Sequence, residues 1–257
     1  MENLGESVLW GALVGASLLA GALAAAALNL PPRVAAVVTA FGGGTLLSAI
    51  ALELLPEADE GAGNGLTAVG LVAGTLVYVG ADAWLDRNSE RKSMRRMGHA
   101  AAAGLPMGSM PRADHAEAAR GESIAAGIFI DGVPESAALG LTVAEGGVGV
   151  ALLAGILIGN LVEAYGASQP ILAGGHSKRF TIGLLGAIGL ALVAATALGA
   201  TVLAGAPDEA IGVAQAIAAG AVLAVVAIAV IPHAFEKVRR DVAVATTAGF
   251  VAGYLLS

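Results

Sequence analysis

The chain has 257 residues, 57% of them hydrophobic and only 13% charged, with a mean hydropathy of +0.81. A soluble fold of this length has no use for so much apolar surface, so the class is a polytopic membrane protein. The absence of cysteine excludes disulfides, thiolate metal sites and thiol chemistry, and the net charge of −7 gives nucleic-acid binding no support.

The first apolar run, Glu6 to Leu28, is long enough to cross a bilayer at about 1.5 Å per residue. Glu2 and Glu6 stand at its start with no lysine or arginine, the reverse of a secretory leader, so it reads as a spanning helix. Pro31-Pro32-Arg33 turns the chain into a second span, which passes Phe41-Gly42-Gly43-Gly44 and ends in Leu54-Leu55-Pro56-Glu57. Asp59, Glu60 and nearby glycines read as a loop. The third span is Leu66 to Leu85, with Asp82 as an interfacial residue near its far end.

From Asp86 to Gly121 the apolar signal stops. Arg87, Arg91, Lys92, Arg95, Arg96, Arg112 and Arg120 fall here, with Gly104, Pro106, Gly108 and Pro111 as breakers. The segment reads as a mobile cytoplasmic loop with room for a short basic helix. His99 and His115 lack ligand spacing and read as solvated residues. The fourth span is Ser123 to Val143 and the fifth Gly147 to Leu172. His176-Ser177-Lys178-Arg179 leads into the sixth, ending at Leu203, and Pro207-Asp208-Glu209 makes an acidic loop. The seventh ends in Ile231-Pro232-His233-Ala234-Phe235-Glu236. The eighth, Val242 to Ser257, is short but crosses with local bilayer adjustment.

The expected fold class is therefore all-α, a polytopic membrane protein with eight transmembrane helices. Residues 1–86 hold spans one to three, 87–121 the cytoplasmic basic loop, and 122–257 spans four to eight. All 13 basic residues then fall on one side: Arg33, the seven of the long loop, Lys178, Arg179, Lys237, Arg239 and Arg240. Asp59, Glu60, Glu145, Asp208 and Glu209 fall on the other. The positive-inside rule places both termini outside and the 87–121 loop in the cytoplasm.

Two internal echoes predict inverted-topology repeats. Ala126-Gly127-Ile128-Phe129-Ile130-Asp131-Gly132-Val133-Pro134-Glu135 returns as Ala154-Gly155-Ile156-Leu157-Ile158-Gly159-Asn160-Leu161-Val162-Glu163, on spans of opposite sense. More weakly, Ile50 to Glu57 on span two pairs with Val226 to His233 on span seven. Asp131 and Glu135 are four apart and share one helix face, with Glu163 and Asn160 on the second copy. Ionisable groups are expensive within a bilayer, so Asp131, Glu135 and Glu163 are functional candidates. Asn160 is either a ligand or an interhelical hydrogen-bonding group. Pro134 predicts a kink at Asp131 that frees the Ile130 carbonyl as a further oxygen ligand, with Gly132 and Ser136 leaving room. Glu53 and Glu57 are candidates for capturing cations at the entrance, the alternative being simple contact with water. His233 and Glu236 are candidates for an exit site, although neighbouring Lys237 and Arg239 favour a solvated interface.

These strings resemble the ZIP (Zrt/Irt-like) family of divalent metal transporters, in a divergent prokaryotic form. Asp131-Gly132-Val133-Pro134-Glu135-Ser136 stands where that family usually has His-Asn-x-Pro-Glu-Gly on span four. Gly159-Asn160-Leu161-Val162-Glu163 stands where span five usually begins with His or Gln and ends with Glu. Leu54-Leu55-Pro56-Glu57-Ala58 matches the end of span two, with Glu53 where His is common. The resemblance implies eight spans, a mobile unit carrying spans four and five, a homodimer and a prokaryotic plasma membrane. It implies a metal site of Asp131, Glu135, Asn160 and Glu163, with Gly159 removing one ligand and leaving a one-metal site. These are all oxygen donors, which suit manganese or ferrous iron, while zinc and cadmium remain eligible. The metal is cargo, and no prosthetic group is implied. The chain reads as no enzyme: there is no His-Glu-x-x-His and no P-loop. The alternatives are a proton-coupled carrier of a non-metal solute, and a non-transporting metal sensor.

Overall fold

The computed structural model describes residues 2–28, 31–102, 128–129, 132–144, 146–173, 175–202 and 206–257, with backbone alone at 2–3, 32, 85–102, 170 and 173. All elements among the described residues are helical, as expected. In chain order they are α1 (Glu2–Ala27), α2 (Pro32–Ala49), a π-helical turn π1 (Ile50–Leu54) and α3 (Leu55–Ala102). Then come α4 (132–144), α5 (Val150–Ala173), α6 (Lys178–Val202) and α7 (Asp208–Val225). A second π-helical turn, π2 (Val226–Val230), leads to α8 (Ile231–Val238) and α9 (Asp241–Leu256).

Five stretches are long and apolar enough to cross a membrane: Leu4–Ala27, Arg33–Trp84, Val150–Gln169, Lys178–Val202 and Asp208–Val238. Asp241–Leu256 is a shorter apolar helix. Leu190, Val244 and Leu255 are 73, 73 and 76% exposed, on faces that suit lipid far better than water. Several buried hydroxyls bond within their own helices, as from Ser17 to the Val14 carbonyl (2.7 Å) and from Thr45 to that of Gly42 (2.7 Å). That is the solution available where no water reaches.

Arg33–Trp84 is two helices. Gly63 interrupts α3 at φ 74° and ψ 155°, and the neighbours on α7 show that the chain reverses there. From Asp208 to Gln215, α7 meets Gly61, then Ala58 and Ala62, then Glu57, so the arm 55–62 runs against it. Past Gly63, Gly70 faces Val213 and Ala216, Gly74 faces Ile217, and Tyr78 clusters with Ala221 and Val225, so the second arm runs with α7. The acidic segment at Asp59 and Glu60 is thus helical rather than a loop, because one glycine suffices for the turn.

The same construction recurs around α2. Ala36 and Ala40 pack with Ala234 and Val238, and Gly43 lies against Val230, so π2 and α8 run against α2. After Arg239 (φ 49°) the chain reverses, and α9 runs with α2: Gly249 meets the Phe41 carbonyl, Gly44 that of Thr246, and Gly253 meets Ser48. The landmarks of the two copies fall in one register. Pro31 and Pro207 are the N-caps of α2 and α7. π1 and π2 follow, then Pro56 and Pro232, then the turn residues Gly63 and Arg239. Each pair is 176 residues apart.

The π turns have a local cause. Pro56 and Pro232 each lack an N–H and press on a carbonyl four residues back. The widened turn accommodates this by bonding one residue further along: Leu55 N–H to the Ile50 carbonyl, and Ile231 N–H to that of Val226.

A second group of helices is built on α1 and α6, which cross where Gly15 meets Gly189. α4 joins this group through Gly140 against Thr196 and Gly199 against Ala137, and α5 joins through Leu161 and Ala164 against Gly21. In both groups backbones touch because glycine has no Cβ at the crossing. Contact between the groups runs largely through α2 and α5, where the side chains of Thr45, Leu46 and Ile158 intervene.

The basic segment departs from expectation. α3 continues as helix through Ala102 instead of giving way to a loop after Asp86. Between Asp86 and Ala102 the only helix-weakening residue of the glycine–proline pair is Gly98, and arginine, methionine and alanine favour helix. The remainder of the 87–121 segment, His115 included, lies outside the described residues.

Candidate metal centre

α5 is anchored at both ends. At its start the two carboxylate oxygens of Glu53, in π1, accept the N–H groups of Ala151 (3.1 Å) and Leu152 (3.3 Å). A negative charge on otherwise unpaired N–H groups at a helix N-terminus is favourable by both hydrogen bonding and the helix dipole. The fit needs Gly149: a Cβ there would lie 2.5 Å from Glu53 Oε2. The far end of α5 carries side chains that cap α1. Tyr165 donates its hydroxyl to the Leu28 carbonyl (3.2 Å) and Gln169 its amide to that of Ala25 (3.3 Å). From α6, Lys178 donates to Ala26 (2.8 Å).

α4 and α5 close similarly. Gly147 N–H reaches the Thr142 carbonyl past Gly146 (φ 93°), and His176 N–H reaches that of Ile171 past Gly175 (φ 90°). Both are Schellman turns, for which glycine supplies the left-handed residue.

These two helices carry the predicted ligands. Glu135 is 6% exposed and Asn160 2%, while Glu163 is half-buried. Ile128, Ala138 and Leu139 from one side and Ile156 and Ala164 from the other belong to a single apolar cluster. Asn160 Nδ2 and Ser136 Oγ are buried and have no hydrogen-bond partner among the described residues, as is also true of the hydroxyls of Ser48, Thr67, Ser168 and Thr246. Such groups cost about 1–3 kcal/mol each when left unbonded, so their retention in an apolar interior calls for a ligand or water. At Gly159, one residue before Asn160, an added Cβ would meet nothing within 4 Å.

Pro134 lies within a helical stretch, half-buried. Asp131, with the kink predicted there, lies outside the described residues. Among the described residues no three acidic or histidine side chains come together as a metal cluster.

The remaining candidates separate. Glu53 serves as the cap on α5. Glu57 accepts a hydrogen bond from Gln215 Nε2 at 2.9 Å, tying the end of span two to α7. His233 and Glu236 are exposed on α8. Gln215, fully buried, is the functional neighbour that reading the sequence missed; an amide inside an apolar run was the available signal.

No protein-family model matches the chain, and no curated protein matches it.

Proposed function

We propose that this protein is a ZIP-like carrier that moves a divalent metal cation across a membrane toward the cytoplasm. The carrying observation is that two polar side chains predicted as ligands, the carboxylate of Glu135 on α4 and the amide of Asn160 on α5, are both buried in apolar helices. Buried acids inside membrane helices mark ion pathways. Glu135 and Glu163 contribute carboxylate oxygens, Asn160 its amide oxygen, and Asp131, four residues before Glu135 in the sequence, a further carboxylate. An all-oxygen set favours manganese or ferrous iron over purely nitrogen- and sulfur-seeking ions.

The architecture supports eight spans: α1, the two arms meeting at Gly63, the fourth span ending in α4, α5, α6, the stretch α7–α8, and α9. The paired landmarks 176 residues apart, on helices of opposite sense, support an inverted-topology repeat. The division into a group around α1, α4, α5 and α6 and a group around α2, α3, α7 and α9 supports a unit carrying the cargo that moves against a fixed scaffold. A prokaryotic plasma membrane and a homodimer complete the proposal.

Uptake into sealed proteoliposomes tests it, with manganese, iron, zinc, cadmium and magnesium compared. Native protein takes up metal, and Glu135→Ala/Glu163→Ala abolishes the uptake. Metal-independent, pH-driven transport by the native protein would instead favour the proton-coupled carrier.

A further inference from the structure

At the corner where α8 turns into α9, Arg33, Lys237, Arg239 and Arg240 line an open cavity of about 410 Å³, together with Val238 and Asp241. Arg33 comes from the start of α2, two hundred residues away in the chain, so the cluster is made by folding. No ion pair with another described residue engages any of these four cations. Arg239 holds φ at 49°, in the left-handed region that arginine adopts only at a cost.

The repeat supplies an internal control. In its 176-residue register the matching corner at the other end of the molecule consists of Gly61, Ala62, Gly63, Asn64 and Glu209. Glycine occupies the left-handed turn there, and no position is cationic. The turn itself therefore needs neither arginine nor positive charge. Keeping basic residues on one side of the membrane explains their presence. It does not explain convergence on one cavity, or a cation held at a strained position.

We propose that this corner binds a phosphoryl group, the chemistry shared by an acidic phospholipid headgroup and free phosphate. Three guanidinium forks and an ammonium offer the charged donors that phosphate oxygens accept, and Asp241 offsets one of the four positive charges. The corner lies at the membrane end where the basic loops gather, the leaflet surface at which acidic lipids attract lysine and arginine. The site needs a membrane and is indifferent to the cargo.

The test uses the full chain purified in detergent, with native mass spectrometry counting retained phosphatidylglycerol against phosphatidylcholine. The native protein is compared with Arg33→Gln/Arg240→Gln and with Arg239→Gly. Phosphatidylglycerol retention falls about fivefold for each cation removed, and phosphatidylcholine retention does not change. Arg239→Gly separates binding from folding, because it melts higher while holding less lipid. Titration with inorganic phosphate, read by calorimetry, distinguishes the source. Phosphate binding lost in both variants, with lipid retention unmoved, assigns the site to the free anion. Equal retention of phosphatidylglycerol and equal phosphate binding by all three proteins would overturn the proposal.

Discussion

Gly63 and Arg239 hold the same place in the two copies of the repeat. They lie 176 residues apart, each is the positive-φ residue at which a helical hairpin reverses, at 74° and 49°, and each follows a π turn and a proline. Glycine takes this conformation without penalty, and arginine does not. Arg239→Gly should therefore stabilise the protein by about 1 kcal/mol, read as a raised midpoint in thermal unfolding. An unchanged or lowered midpoint would show that the arginine side chain contributes more to folding than its backbone costs.

The glycines at helix crossings predict a contrast. A Cβ at Gly74 or Gly220 falls on the carbonyl of Ile217 or Leu71, whereas a Cβ at Gly183 or Gly166 meets nothing within 4 Å. Alanine at Gly74 or Gly220 should destabilise by about 1–3 kcal/mol through overpacking. Alanine at Gly183 should be neutral or stabilising by up to about 1 kcal/mol, from helix propensity alone. Unfolding in detergent at fixed lipid content measures all of these.

Glu53 predicts a cap. Glu53→Ala removes both acceptors of the Ala151 and Leu152 N–H groups and should cost about 1–2 kcal/mol. Glu53→Gln keeps one oxygen and should lose less. Faster amide exchange confined to the first turn of α5 would locate the loss, and exchange unchanged there would argue against the cap.

Asn160 distinguishes ligand from scaffold. Asn160→Leu removes a buried amide whose nitrogen has no partner among the described residues, so the fold should hold or gain stability. If Asn160 contributes a metal ligand, uptake by the same variant should fall about tenfold or more. Loss of stability with uptake retained would make it a packing residue.

That the chain is helical, with helices apolar enough to cross a membrane, was legible because apolar run length is written residue by residue. The echo between Ile50–Glu57 and Val226–His233 was legible as well, and in the structure both octapeptides form a π turn followed by a proline-led helix. After Asp86 a loop with room for a short basic helix was the expectation, and the helix is the part the structure describes, because loss of hydropathy is not loss of helix propensity. Along that segment arginine and alanine carry the helix out to Ala102.

The candidate site divided along a similar line. Acids in apolar helices announce themselves by composition, and one of them, Glu135, is buried. The work of Glu53 was hidden, since its partners Ala151 and Leu152 are almost a hundred residues away and nothing local names them. Gln215 and Glu57 meet for the same nonlocal reason.

By itself the sequence determined the apolar helices, the gathering of the basic residues in the segments between them, and the residue types available to a cation. Those follow from solvation, which each side chain settles with its own surroundings. Only the tertiary structure decided that Gly63 is a hairpin, that Glu53 caps α5, and that Arg33 joins Arg239 and Arg240 around one cavity. Each depends on helix crossings set by glycines far apart in the chain, and contact across such distances exists only once the chain is packed.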